Sequence, residues 1–541
     1  MRRVFAFSVT LREMHARDGS RTWVAVIGLM LGALGWLASG GQRAAAKPSD
    51  PGPPAVLLVS IVLGPTSTLT GLQAFLEEVK PGTGAQLTDA AVRQGLAKAA
   101  GVSSLDGLDP ASRIYVLIAA DSPEIALVAK VADSAKLLAS AGAVGVMTRG
   151  PWAAIGPKPL LDRIGPYALT SIVAQPVPPA PTATVYLPHV LSRYAPQLRA
   201  MRGQMIASTA GTNPTMVRLV NDYVDGLAAL CDDAAQLVVT LEVSPSTAWL
   251  DFALKPRAGS RLAAFAALQQ PSSYALLARL PAAATAPAIL LAGHLALGPY
   301  RDSLLAMTAM FYAPDASKEV LASLEIAHRA MTGEIALAAD IARPGGLSFT
   351  QFYGVTDPGG ASQALAAILE QFKTARTIAM SDSTMTIRAN SDTTQYDGVA
   401  LRSYDATLDY STATPAKRQA LETMNPSGTH RVQLAAFDKL FMLVTAKDGL
   451  AVAKRTIDAA RGNAAHLAPG SATDALLATS RAHKDSLAMT IDVGAIGRLA
   501  SNNQLGVAPV MMSLGFADRR AHIGLAIPAA SARALMHVAN P

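Results

Sequence analysis

The sequence predicts an α+β fold of two related halves, each an antiparallel β-sheet with helices packed over one face. Three observations support this prediction. Pairs of segments with period-two alternation recur along the chain, each pair is followed by an amphipathic helix, and one such unit resembles another at the end of the chain. Tight turns favour antiparallel pairing, and the helix after each pair favours a layer over the sheet.

The clearest of these units spans residues 236–265. Its inward strand positions are Leu237, Val239, Leu241, Val243, Leu250, Phe252 and Leu254. Turn-forming residues 244–247 separate the strands, and Ser260 is a candidate cap for the helix that follows. A shift of 273 residues reproduces the pattern at 509–538, with the inward set Val510, Met512, Leu514, Phe516, Ile523, Leu525 and Ile527. An internal duplication explains this recurrence, although any hairpin followed by a helix would give a similar pattern.

Residues 1–46 have the parts of an export signal. An arginine-rich start precedes the uncharged run Trp23–Gly40, and Ala44–Ala46 offers a cleavage site. The run of 18 residues is also just long enough to span a bilayer, so an uncleaved anchor is the alternative. We therefore expect the rest of the chain to be exported, either periplasmic or anchored to the inner membrane.

The remaining chain divides into a tether and two halves. Residues 47–54 are Pro-rich and predict an extended tether. We assign 55–310 to the first half and 311–541 to the second, because FYAPDASKEV (311–320) interrupts the repeated pattern. The Pro-rich segment 176–181 predicts a surface loop inside the first half, with a domain boundary as the alternative.

Charge and cysteine content narrow the classes of partner and site. Without residues 1–46 the chain has 40 basic and 37 acidic residues, so its charge gives no reason to expect nucleic acid as a partner. An envelope protein or a membrane surface is the expected partner.

Cys231 is the only cysteine, which excludes an intramolecular disulfide and a cysteine metal cluster. We expect Cys231 to be a small buried residue on a helix, with a reactive thiol as the alternative.

The sequence contains few signs of catalysis. It has no nucleophile elbow, no zinc-protease helix motif and no P-loop, and its nine histidines lack metal-ligand spacing. We therefore expect no metal and no cofactor. His483, Lys484 and Asp485 are adjacent before a predicted strand, which favours a solvated turn, with a proton-transfer site as the alternative.

Three residues are candidates for a ligand or partner surface. Trp249 and Asp251 share the outward parity of one predicted strand, and His294 has the outward parity of another. An exposed Trp beside a carboxylate is typical of a binding surface. The alternative is that these side chains lie on an ordinary solvated or helix-covered face.

Four segments together resemble duplicated exported bacterial proteins of unknown function. They are GLDPASRIYVLIAA (107–120), WAAIGPKPLLDRI (152–164), MTGEIALAADI (331–341) and AAFDKLFMLVTAKDGLAVAKRTIDAARG (435–462). The resemblance implies an envelope location and supplies no catalytic residues. We expect a non-enzymatic binding or structural module; the alternatives are a carrier of an apolar ligand held between sheet and helices, and a hydrolase whose site is assembled from scattered residues.

Overall fold

The computed structural model describes residues 53–64, 67–120, 125–209, 229–283, 286–296, 317–342, 346–379, 383–424, 428–446, 448–501, 506–517 and 520–539. The strands are β1 (Leu57–Leu63), β2 (Ile114–Ala119), β3 (Ile125–Lys130), β4 (Gly145–Arg149), β5 (Trp152–Gly156), β6 (Thr182–Val185), β7 (Ala234–Val243), β8 (Thr247–Pro256), β9 (Ile289–His294), β10 (Met331–Ala342), β11 (Gly346–Val355), β12 (Arg376–Ala379), β13 (Thr384–Ala389), β14 (Thr394–Tyr396), β15 (Val399–Asp409), β16 (Gly428–Phe437), β17 (Leu440–Thr445), β18 (Asp485–Asp492), β19 (Pro509–Gly515) and β20 (Ala521–Pro528). The α-helices are α1 (Ser67–Val79), α2 (Asp89–Ala100), α3 (Ser134–Ala141), α4 (Lys158–Tyr167), α5 (Leu187–Thr209), α6 (Arg261–Leu268), α7 (Ser317–Ala330), α8 (Pro358–Glu370), α9 (Pro415–Met424), α10 (Gly449–Ala460), α11 (Ser471–Ala482), α12 (Val493–Ser501) and α13 (Ala529–Ala539).

Backbone pairing joins nineteen of these strands into one antiparallel sheet. From edge to edge the order is β4, β5, β3, β2, β1, β6, β7, β8, β20, β19, β18, β9, β10, β11, β17, β16, β15, β13 and β12. The short strand β14 pairs with the start of β15.

The prediction of two halves, each with its own sheet, was therefore wrong. The last strand of the early hairpin, β8, pairs along its length with the last strand of the chain, β20. A strand edge carries unpaired N–H and C=O groups, and pairing two edges satisfies both rows at once. The hydrophobic pattern specifies which face of a strand is buried but not which edges meet, so the sequence did not reveal this join.

The prediction that helices cover only one face was also wrong. On β2, Leu117 packs against Ile164 of α4. The neighbouring Val116 points to the opposite face and packs in a cluster with Ala97 of α2 and Leu137 of α3. Strand residues alternate between faces, so this part of the sheet has a helical layer on each side.

The order of strand pairing is the same on both sides of the β8–β20 pair. On one side β1 lies between β2 and β6, and β7 links β6 to β8. On the other side β9 lies between β10 and β18, and β19 links β18 to β20. Strands β12 to β15 are an addition on the second side. The strands change sides between β8 and β9, ahead of the predicted boundary at 310/311, and that division of the chain stays a prediction.

Part of the predicted inward set of the two hairpins packs together on one face of the sheet, but the opposite face is buried as well, with Trp249 and Ala253 more buried than Phe252. Leu237, Leu254, Leu514 and Ile523 belong to one core cluster with the helix residue Phe265. The Ser260 side chain caps α6 by accepting a hydrogen bond from the Ala263 backbone N–H. The alternation in sequence therefore identified the face on which α6 packs.

Several predicted segments lie wholly or partly outside the described residues. The export signal or anchor, including Trp23–Gly40, and most of the tether at 47–54 belong to this group. Within the part of the chain that is described, no helix combines the length and apolar character needed to cross a membrane.

The Pro-rich residues 176–181 connect a π-helical turn at Ala168–Ile172 to β6. Strand β6 pairs with both β1 and β7 in the same sheet.

Candidate functional site

A cluster of polar side chains lies where β8, β18 and β20 approach α11. We call Asp251, Tyr274, Ser480, Asp485 and His522 the central polar cluster. His522 Nδ1 donates to Asp251 Oδ1 at 3.0 Å, since a carboxylate can only accept. Ser480 Oγ donates to Asp485 Oδ2 at 2.5 Å, and the Tyr274 hydroxyl lies 2.7 Å from Ser480 Oγ. The first bond ties β20 to β8, and the other two tie α11 and the segment before residue 275 to β18.

The strand register places His522 between two carboxylates. Asp485 on β18 lies opposite Gly515 on β19, and Gly515 lies opposite His522 on β20. On the other side His522 lies opposite Ala253 of β8, and Asp251 is the next residue of β8 on the same face. A Cβ at position 515 would lie 2.6 Å from Asp485 Oδ1 and still closer to His522 Nε2, so the glycine is what lets these two side chains meet.

The second contact of the histidine is close but poorly directed. His522 Nε2 and Asp485 Oδ1 are 3.4 Å apart, which is within ion-pair distance. Neither atom has a hydrogen-bond partner with acceptable geometry, and both are buried. We therefore treat this contact as electrostatic, and the bond to Asp251 as the directed one.

Burial and mutual charge shift the acid–base equilibria of the cluster. Burial raises the pKa of Asp485, against the opposing effect of its hydrogen bond from Ser480. Burial alone would lower the pKa of His522, but the hydrogen bond and charge of Asp251 and the charge of Asp485 outweigh it, so the pKa is raised. Burial also raises the pKa of Tyr274 to about 12, so its hydroxyl keeps its proton and donates to Ser480.

Trp249 is not on an exposed surface, and that prediction was wrong. Its side chain is 4% exposed and packs in the core cluster with Leu476 and Leu477 of α11. Its ring stacks on His483 with centroids 4.3 Å apart and an interplanar angle of 15°. The parity was right, because Trp249 and Asp251 do share a face, but α11 and the turn after it cover that face.

The other two predicted site residues have separate roles. Asp251 is 24% exposed at its side chain and belongs to the central polar cluster. His294 Nε2 lies 3.1 Å from the Thr332 carbonyl oxygen on the neighbouring strand β10, while its Nδ1 is buried without a partner. Trp249 and Asp251 therefore share one face of β8 with separate partners, and His294 lies on β9 with contacts of its own.

The adjacent residues His483, Lys484 and Asp485 do not form the solvated turn that was the favoured prediction. Lys484 adopts a left-handed backbone conformation with φ of 59°. The turn at Lys484 leaves His483 stacked on Trp249 and Asp485 fully buried, with its backbone carbonyl accepting from Ser272 N–H at 2.9 Å. Asp485 thus lies in the interior, His483 is half-buried and Lys484 is exposed.

Sequence reasoning missed His522, Ser480 and Tyr274. One signal was available for the histidine: the 273-residue shift aligns His522 with Trp249, so both have the same strand parity. Their proximity to Asp251 depends on the β8–β20 pairing, which the sequence did not predict. Ser480 and Tyr274 lie in elements whose polar residues have no distinctive spacing.

The central polar cluster contains the groups of an acid–base site, but most of them are hardly exposed to solvent or substrate. Asp485 and Ser480 are 0% exposed, and Ser513 is 1% exposed. Among the residues with described positions, no group of three or more His, Cys, Asp or Glu side chains could hold a metal ion.

Cys231 lies outside the central polar cluster and is half-buried. Burial raises the pKa of its thiol, which disfavours the reactive thiolate.

Comparisons with protein-family models, with curated proteins and with solved structures found no match for this chain. The resemblance to duplicated exported bacterial proteins thus stays a prediction.

Proposed function

We propose that this protein is an exported envelope protein that acts by binding or as a structural module rather than by catalysis. The main support is the use of its buried ionisable groups. Asp485 and Ser480 are fully buried and hydrogen-bonded to each other, and His522 bonds to Asp251 across two strands. Groups that could perform acid–base chemistry are engaged in holding strands and α11 together, which is a structural use of charge.

The export part of the proposal rests on the leader and is tested by a fusion. A reporter enzyme that folds only outside the cytoplasm is attached after Pro541. We expect activity with the full chain and loss of activity when residues 1–46 are deleted, because the arginine-rich start and the run Trp23–Gly40 supply the signal. As a control, an arginine placed in the middle of Trp23–Gly40 should also abolish activity. Full activity of the shortened fusion would contradict export through this leader.

A hydrolase is the second candidate, and one specific observation favours it. His522 donates through Nδ1 to a carboxylate and leaves Nε2 without a directed bond, which is the arrangement of the histidine in a catalytic triad. Gly524 is the next residue of β20 on the same face as His522, and Ser513 of β19 lies opposite Gly524. Ser513 is therefore a candidate nucleophile. Its burial argues against this role.

A phosphonate probe that reacts with activated serines separates the two candidates. We expect no labelling of the folded wild-type protein, because Ser513 is 1% exposed. Labelling that disappears in both Ser513→Ala and His522→Gln would support the hydrolase and reject our proposal. Ser486→Ala is the matched control, since Ser486 is equally buried and its hydroxyl donates to the Gln270 carbonyl oxygen.

The carrier alternative depends on whether the described residues enclose a cavity for an apolar ligand. An open surface cleft of about 690 Å³ has a mixed lining that includes the charged residues Arg93, Asp106 and Lys136. A carrier of an apolar ligand needs an enclosed and mostly apolar cavity. This cleft therefore does not favour that alternative.

A further inference from the structure

The β8–β20 pair is the seam of the sheet. Within the described strands it is the one pairing that joins β1–β8 to β9–β20. The hydrogen bond between Asp251 of β8 and His522 of β20 crosses this seam at 3.0 Å. The contact from His522 to Asp485 continues to β18, two strands further into the second group. One imidazole therefore links both groups of strands.

His522 is nearly buried between two carboxyl groups, so the charge of its imidazole affects the stability of the seam. The side chain of His522 is 9% exposed, between Asp251 at 24% and Asp485 at 0%. In such a position water screens the two carboxylates weakly. The charged and titratable groups around the cluster are Asp251 and the exposed Lys255 from β8, Asp485 from β18, His483 and Arg481 from α11 and the turn after it, and Tyr274.

We propose that His522 is a proton-dependent lock of the seam. With a proton on each nitrogen, the imidazolium presents one N–H to Asp251 and one to Asp485, and its charge offsets both carboxylates. When the Nε2 proton leaves, Nδ1–H still donates to Asp251, but the Nε2 lone pair then lies 3.4 Å from Asp485 Oδ1. Two buried acceptors face each other, and the link between β20 and β18 weakens.

The direction of the pH dependence follows from the two pKa shifts. The pKa of His522 is raised above its ordinary value of 6.5, so the folded protein holds this proton more tightly than the unfolded chain. Its contribution to stability is complete below pH 6.5 and is lost as the pH rises through the raised pKa. Burial also raises the pKa of Asp485 above 3.8, so its own separate contribution to stability is present below pH 3.8 and is lost as the pH rises through that raised pKa. The lock itself requires a charged His522 beside an ionised Asp485, and it opens as the pH rises through the raised pKa of His522.

Hydrogen exchange of the full chain, read by mass spectrometry on peptides from β8 and β20, tests the lock. After correction for the chemical exchange rate, we expect the opening equilibrium of the wild-type seam to rise by up to about tenfold per pH unit above pH 6.5. The His522→Gln variant should open more readily in acid and show little of this pH dependence. His466→Gln is the matched control, because His466 is exposed and lies outside the cluster. Equal pH slopes in the wild type and in His522→Gln would overturn the proposal.

A comparison within the wild type keeps the test independent of any variant. Strands β16 and β17 pair with each other, and β17 is the sixth strand from β20 in the order of the sheet. Their peptides should show a smaller pH slope than those of β8 and β20. Equal slopes in both regions would mean that no local lock exists.

Discussion

Replacing Trp249 with alanine is expected to lower the free energy of unfolding by about 3 to 5 kcal/mol. The indole is 4% exposed, belongs to one core cluster with Leu476 and Leu477 of α11, and stacks on His483, which follows that helix. Removing it leaves a cavity under the helix and takes away the surface that His483 covers. Urea unfolding followed by circular dichroism measures the change, with the slope compared between variants to check that the transition keeps its character.

Phe252→Ala is the matched control on the same strand. Phe252 is half-buried on the opposite face, so its loss should lower the free energy of unfolding by about 2 kcal/mol. Strand parity in the sequence predicts the reverse order, with Trp249 on an outward face. A larger effect at Phe252 than at Trp249 would show that α11 does not cover the indole.

Gly524→Ala is expected to destabilise the fold by about 1 to 3 kcal/mol, through overpacking rather than loss of contacts. A Cβ at this position would lie 2.7 Å from both Trp249 Cη2 and Ser513 Oγ, and closer still to Trp249 Cζ2. The Trp249 indole of β8 therefore lies against the backbone of Gly524 on β20, the strand across the seam. Thermal and urea unfolding of the purified variant measure the effect.

Two comparisons make the Gly524 result specific. Gly95→Ala in α2 has nothing within 4 Å of its new methyl group and should stabilise the protein by up to about 1 kcal/mol. In a Trp249→Ala background the indole contacts are gone and only the contact with Ser513 Oγ remains, so Gly524→Ala should have a smaller effect than in the wild type. Additive effects of the two substitutions would contradict direct contact between the indole and Gly524.

Much of the local structure was readable from the sequence because it depends on near neighbours. The alternation of Leu237, Leu254 and Ile523 identified the face that contacts Phe265, since successive strand residues point to opposite sides. Ser260 was recognised as a cap because its side chain satisfies a backbone N–H three residues later. Each of these features is decided within a few residues of the chain.

The candidate site was only partly predictable. Asp251 was identified as a polar residue inside an apolar strand, and it does contact the central polar cluster. Its partner His522 is 271 residues away, and the contact exists only because β8 pairs with β20. The same join explains why Trp249 was misassigned, since its cover comes from α11, which follows it by more than 220 residues.

The sequence by itself determined the mixed class, the strand–turn–strand–helix units, the face of the two similar hairpins on which α6 packs and the cap of α6. These follow from side-chain periodicity and from hydrogen bonds between near neighbours. Only the tertiary structure decided that one sheet runs through the described residues, that helices lie on both of its faces, and that His522 meets Asp251 and Asp485. Backbone edges pair with the same N–H and C=O groups whatever their side chains, so the choice of partner edge is made by the packing of the whole chain.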